Sequence, residues 1–206
     1  MAATPGLDIW KQRQVLLSAL TLPKVDGEAE DEYIDRIMAD SREQGKKAAE
    51  LGTKIHGALE RHYLGHIVPA EYLLHVAGTI AAINERFGPE AWSAEKSFCT
   101  GQYGGKVDLH NDTIVIDFKT KEFGPDNLPK PFDEQIMQLA AYRHGLGYPM
   151  ARCANVYVSV SNPGLAHIVE HSEEDLIRGQ EMFSNLLRYW KEKNSFFKLV
   201  EGKRFI

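Results

Sequence analysis

Apolar residues recur at three- and four-residue intervals from about Glu32 to Leu64, through Ile34, Ile37, Met38, Ala48, Leu51, Ile55, Leu59 and Tyr63, which predicts a long amphipathic helix. The tract Ser41 to Lys47 inside it is polar throughout and marks a place where the helix could break. The residues before it read as a polar amino-terminal stretch. A second amphipathic helix is expected over Pro69 to Phe87, stopped by Gly88–Pro89. From Trp92 the period changes to two. Trp92–Cys99, Tyr103–His110 and Thr113–Thr120 are short, rich in β-branched or aromatic residues and separated by turn residues, with Asn111–Asp112 a tight-hairpin signal. Lys121 to Pro131 holds Gly124, Pro125, Pro129 and Pro131 and reads as a loop, followed by a helix from Phe132 or Asp133 to about His144. Arg152–Val160 reads as a buried strand, Asn162–Pro163–Gly164 as a turn and Leu165–His171 as a hairpin partner. Ser172 with Asp175 makes a capping box for a last helix to about Lys193. Helices, three strands, a helix, two strands and a helix describe a mixed α/β (α+β) core with helices on its faces.

Length and composition narrow the class. The 206 residues fit one domain, with 1–90 as a mainly helical part and 91–206 as the sheet and its flanking helices; 43% hydrophobic and 26% charged residues suit a globular chain. No apolar run approaches about 18 residues, and MAATPGLDIW has no basic region before an apolar core, so the expectation is an intracellular protein with no membrane segment. Cys99 and Cys153, within apolar runs far apart, are expected as buried free thiols, and two cysteines cannot supply the four thiolates of an iron–sulfur cluster. A net charge of -5 is not that of a protein that coats nucleic acid. It leaves room for an enzyme whose positive potential is confined to a groove and whose carboxylates await metal ions.

The candidate chemistry sits in TIVIDFKTK. Asp117 and Lys119 are two apart on a strand, so both leave from one face while Phe118 points the other way into the core. Upstream, GGKVDLH places Asp108 on the adjoining strand of the hairpin, which can bring it across from Asp117. Two carboxylates at one spot repel each other unless a cation satisfies them, and hard divalent ions prefer oxygen ligands. Lys119 beside such an ion would orient an attacking water or hold charge on a phosphate. An isolated Asp-x-Lys is more often a surface ion pair, but Ile114, Val115, Ile116 and Phe118 around this one mark a central strand. Lys121 and Lys130 bracket the loop that leaves this strand, where they would meet phosphates if it borders a DNA entrance; a structural proline-rich turn is the alternative. Lys191, Lys193, Lys198, Lys203 and Arg204 near the carboxyl end would add positive field or simply be solvated.

These residues resemble the PD-(D/E)XK nucleases, and among them the RecB-type exonucleases that include many phage proteins, over about Ala48 to Tyr142. The resemblance implies a restriction-endonuclease-like core with a central mixed sheet of about five strands. It rests on motifs in order: G-T-x-x-H at Gly52, Thr53 and His56; G-x-x-D at Gly105 and Asp108; I-D-x-K-T at Ile116, Asp117, Lys119 and Thr120; and Q-x-x-x-Y at Gln138 and Tyr142. It implies that His56, Asp108, Asp117 and the Phe118 carbonyl hold one or two Mg2+ or Mn2+ ions, with Glu60 fixing the His56 ring or simply exposed. Glu95 would be a further catalytic acid, although an ion pair with Lys96 explains it equally well. Gln138 and Tyr142 share one helical face, extended by Gln135, and would bind the DNA backbone or buttress Lys119.

The implied activity is hydrolysis of linear DNA with access to single-stranded ends, in recombination or repair. The chain resembles only the branch without an iron–sulfur cluster, and it has no phosphate-binding glycine-rich lysine motif, so unwinding would need a helicase or recombination partner. An endonuclease of the same fold, and a DNA-binding or assembly protein that keeps the scaffold without turnover, remain alternatives.

Overall fold

The computed structural model describes residues 5–194, so Lys198, Lys203 and Arg204 lie outside the described residues. The chain divides into two compact units, with the division between His56 and Gly57.

In the first unit the expected polar stretch is instead a helix, α1 (Pro5–Thr21). Proline at its first position costs no hydrogen bond, because the first N–H groups of a helix have no partner inside it. Its apolar residues lack a buried stripe: Ile9, Leu16, Leu17 and Leu20 are exposed, so the periodicity that announces the later helices is missing here. Polar contacts join it, and the residues that follow it, to the next helix. The buried Ser18 hydroxyl donates to Asp40 Oδ2 at 2.7 Å, and Tyr33 reaches the carbonyl of Leu22 at 3.0 Å. Arg36 clamps Glu28 through Nε at 2.9 Å and Nη2 at 2.8 Å. Helix α2 (Glu30–Tyr63) runs without a break through Ser41–Lys47. That tract is mostly good helix formers, and Gly45 lies over the Trp10 ring, 3.7 Å from where a Cβ would stand.

The second unit holds the mixed α/β core expected. After a 3₁₀ turn (Ala70–Tyr72) comes α3 (Leu73–Phe87), stopped at Gly88 with φ 84°. Then follow β1 (Ser93–Cys99), β2 (Gly104–His110), β3 (Ile114–Lys121), α4 (Asp133–Gly145), β4 (Arg152–Ser159), β5 (Ala166–Glu170) and α5 (Glu173–Lys193). Among the described residues five strands form one sheet, in the order β1-β2-β3-β4-β5. All neighbours are antiparallel except β3 and β4, which run parallel in register from Ile114↔Arg152 to Lys121↔Ser159. A parallel pair needs a long crossover, and α4 supplies it. Helix α3 lies against β4 and β5, α4 packs on β2, β3 and β4, and α5 packs on α4.

The core is built on the central strands: Val115, Ile116, Ala154, Val156 and Val158 are wholly buried. Val107, Val115, Cys153, Leu139, Ala140 and Leu176 form one cluster that joins the sheet to α4 and α5. Gly179 allows the two helices their closeness, since a Cβ there would stand 2.9 Å from the Ile136 side chain. Cys153 is buried as expected, but Cys99 is exposed because it ends β1 at the sheet's outer edge; both are free thiols. Among the described residues no helix is long and apolar enough to cross a membrane.

Candidate active site

The site grows out of the β2–β3 hairpin. Asn111 builds its turn, with Oδ1 accepting from the N–H of Thr113 at 2.9 Å and of Ile114 at 2.8 Å. Neither Asp112 nor Thr113 takes a positive φ. The turn therefore lacks the primed geometry whose twist keeps two strands together, and the strands part after Leu109↔Ile116 and His110↔Val115. The next rung would set Asp108 against Asp117. There Asp108 Oδ2 accepts the Phe118 N–H at 2.7 Å, so a carboxylate stands where the ladder would have continued.

The same rung is irregular on its other side. The β1–β2 register passes from Ala94↔Leu109 to Lys96↔Val107, and Glu95 between them sits at φ 57°, the one positive φ outside glycine among the described residues. Such a conformation costs about 1–3 kcal/mol in a residue with a side chain and is held in place by its surroundings. Val107 shares a core cluster with Val115, yet His110 is the rung partner of Val115. Strict alternation would put Val107 and His110 on opposite faces, so β2 turns over about Asp108. Glu95 pairs with Lys106 across the strands and not with its neighbour Lys96.

Burial dominates the electrostatics of Asp108 and pushes its carboxyl up to about 6, and the charge of Glu95 adds to the rise; the Phe118 N–H, Lys119 and Lys106 oppose it. Asp117, only 2% exposed, is held from two sides. Lys119 Nζ lies 2.9 Å from its Oδ1 and 2.7 Å from its Oδ2, and Asn155 Nδ2 donates to Oδ2 at 2.8 Å. Phe118 is buried on the opposite side of the strand, as the period of two requires.

From α4, Gln138 completes the lysine's environment. Its Oε1 accepts from Lys119 Nζ at 3.0 Å and its Nε2 donates to the Tyr142 hydroxyl at 2.8 Å, so the Q-x-x-x-Y pair buttresses Lys119. Burial raises the Tyr142 phenol above its ordinary range, as do the charges of Asp117, Asp108 and Glu95, while Gln138 lowers it. Gly105 explains how Tyr142 comes so close: a Cβ there would lie 2.7 Å from the tyrosine ring. The glycine and tyrosine motifs thus meet in space, 37 residues apart in sequence.

Other expected residues take different positions. Gln135 Oε1 accepts from the Phe132 N–H at 3.1 Å and from the Tyr157 hydroxyl at 2.6 Å, so its amide oxygen caps α4 and ties it to β4. Lys121 is half-buried over the rings of Phe132 and Tyr157, 4.5 and 5.2 Å from their centroids, and burial, then Lys119, depresses its ammonium's pKa. Lys130 is exposed on the loop, which is anchored by the buried Phe123, whose carbonyl accepts from Ser159 Oγ at 2.6 Å and Asn162 Nδ2 at 2.8 Å. His56 is half-buried on α2 as the last residue of the first unit. Glu60, in the second unit, lies close enough to Lys106 to raise its pKa, though Glu95 has the larger effect. Among the described residues no three His, Cys, Asp or Glu side chains are assembled into a ready cation site.

Sequence reasoning missed Asn155 and His171. Asn155 is wholly buried in β4, and its Oδ1 meets His171 Nε2 at 2.8 Å. The signal was present as one amide inside an otherwise apolar run, Cys153 to Val158.

No family model matches this chain, and no curated protein does. Among solved structures, one described as the crystal structure of SSO0001 aligns over 87% of this chain and 86% of that chain at 16% identity and a TM-score of 0.32. A likeness that loose carries no argument about activity.

Proposed function

We propose that this chain is a metal-dependent deoxyribonuclease of the RecB type within the PD-(D/E)XK nucleases, acting as an exonuclease on linear DNA with access to single-stranded ends. The observation that carries the reading is convergence: Glu95, Asp108, Asp117, Lys119, Gln138 and Tyr142, spread over three strands and a helix, form one linked charge and hydrogen-bond system. A folded chain has little reason to gather carboxylates on buried strands unless their charge is used.

The donor set fits a hard divalent cation. Asp108, Asp117 and the Phe118 carbonyl offer oxygen atoms, and Mg2+ commonly takes one or two protein carboxylates and completes its shell with water and substrate phosphate. Burial works against the charge on Asp108, which a neighbouring cation would relieve. Of the further donors that the family resemblance implies, Glu95 lies in the same unit as this set. The bound ion supplies Lewis-acid polarisation of the phosphate and a lowered pKa for bound water. Lys119, steered by Asp117 and Gln138, places a positive charge where an attacking water or a phosphate oxygen would sit. Half-buried Lys121, at the end of the same strand, and exposed Lys130, on the loop that follows it, are the further positive charges of this reading.

The test is digestion of end-labelled single- and double-stranded DNA, linear and circular, with Mg2+, Mn2+ or chelator. Cation-dependent release of label from linear DNA alone is expected. Cutting of closed circles would make the enzyme an endonuclease, and no cleavage under any condition would leave a binding or assembly protein.

A further inference from the structure

One wholly buried polar group in the sheet is not used by the nuclease reading. Asn155 is 0% exposed in a central strand whose neighbours Ala154 and Val156 are equally buried. An amide there is tolerated only when its donors and acceptors are matched, and an apolar residue of similar volume would ordinarily serve stability as well or better. Both ends of Asn155 are matched. Parallel register sets it beside Asp117, so the two side chains share a face, and Nδ2 donates to Asp117 Oδ2 at 2.8 Å. His171 extends the β4–β5 ladder by one rung, its N–H donating to the Cys153 carbonyl at 2.9 Å, which returns its ring to that face. An amide oxygen can only accept, so the His171 ring donates through Nε2 to Asn155 Oδ1. The ring is 8% exposed and is fixed where the chain passes from β5 into the N-cap of α5.

We propose that Asn155 and His171 are positioning residues that fix the orientation of the Asp117 carboxylate, His171 setting the Asn155 amide and Asn155 setting Asp117, so that Asp117 presents one geometry to a divalent cation. The proposal rests on the nuclease reading above. Lys119 holds the carboxylate from the catalytic side and Asn155 from the core side, which leaves Asp117 little rotation about its last torsion. Outer partners of this kind are worth about 10- to 100-fold in metal affinity or activity.

The experiment uses the full chain and three readouts. Mn2+ affinity is measured by calorimetry, turnover is measured on end-labelled linear DNA, and 15N NMR reports which nitrogen of the His171 ring carries the proton. In the wild type the ring proton is expected on Nε2. His171→Ala is expected to weaken Mn2+ binding about 10-fold and to lower kcat with KM for DNA little changed, while His171→Gln, which restores an N–H donor, recovers most of both. Should His171→Ala fail to fold, His171→Gln and the wild-type NMR measurement still decide. A proton on Nδ1, a His171→Ala protein with wild-type Mn2+ affinity and kcat, or a folded His171→Gln protein no better than His171→Ala overturns the proposal while leaving the nuclease reading intact. A wild-type chain that neither binds Mn2+ nor cuts DNA removes the nuclease reading, and the positioning role falls with it.

Discussion

Replacing Asp108 with Asn separates the cost of burying a charge from the value of the hydrogen bond that the residue makes. Burial raises the Asp108 carboxyl from its ordinary 3.8 to about 6. At about 1.36 kcal/mol per pH unit, that separation amounts to roughly 3 kcal/mol as an upper figure. Between the two values the folded chain holds a proton that the unfolded chain has released. Stability therefore falls as pH rises through the window from 3.8 to about 6, and the loss persists above it. Asparagine keeps an oxygen to accept the Phe118 N–H, now 2.7 Å from Oδ2, and carries no charge. The expected result is a variant more stable than the wild type by about 1–3 kcal/mol near pH 7.5, the gap closing by about pH 4. Urea unfolding followed by circular dichroism, with chelator present throughout, measures it. Identical pH profiles for the two proteins, or a variant less stable near neutrality, would refute the reasoning. Mg2+ should stabilise the wild type more than the variant, because a ligand stabilises only the fold that binds it.

Lys119→Met is expected to lower DNA hydrolysis by about 100-fold or more with the fold retained, and Gln138→Ala by less, because Gln138 acts through the lysine; single-turnover cleavage rates rank the two. Gly105→Ala drives a Cβ toward the Tyr142 ring, 2.7 Å away, and is expected to cost about 1–3 kcal/mol. That cost should shrink in a Tyr142→Ala background, which a double-mutant cycle of denaturant midpoints checks. The buried Arg143 donates twice to Glu173, at 2.8 Å each, while Glu173 is 50% exposed. Glu173→Ala strands a buried guanidinium and is expected to cost about 3 kcal/mol; Arg143→Met leaves a carboxylate that water can reach and should cost less. Equal losses for the two variants in thermal melts would show that the asymmetry of burial is irrelevant.

The legible parts of this protein are those where one physical rule acts within a few residues. The period of two in β3 places Asp117 and Lys119 together with Phe118 behind them, and the Asn111 turn returns the chain so that Asp108 comes opposite. The capping pair Ser172 and Asp175 starts α5, with the Asp175 N–H 3.1 Å from the serine hydroxyl. Helix α1 was illegible because exposed apolar residues give it no periodic stripe, and its ties to its neighbours, such as the hydrogen bond of Ser18 to Asp40, join residues far apart in sequence. A polar tract could equally break α2 or run through it, and the Trp10 ring over Gly45 is a contact from a distant segment that periodicity does not carry.

By itself, then, the sequence determined the order of elements, the alternation that pairs a carboxylate with a lysine on β3, and the spacing that puts Gln138 and Tyr142 on one side of α4. Only the tertiary structure decided how those pieces are used. The parallel pairing of β3 with β4 brought Asn155 beside Asp117, and the end of β5 brought His171 behind it. The parting of β2 from β3 and the left-handed Glu95 shaped the rung at Asp108. The physical reason is range. Side-chain periodicity and turn chemistry are local and can be read one segment at a time, whereas burial, and with it the raised pKa of Asp108 and the matched ends of Asn155, depends on which distant segments close over a residue.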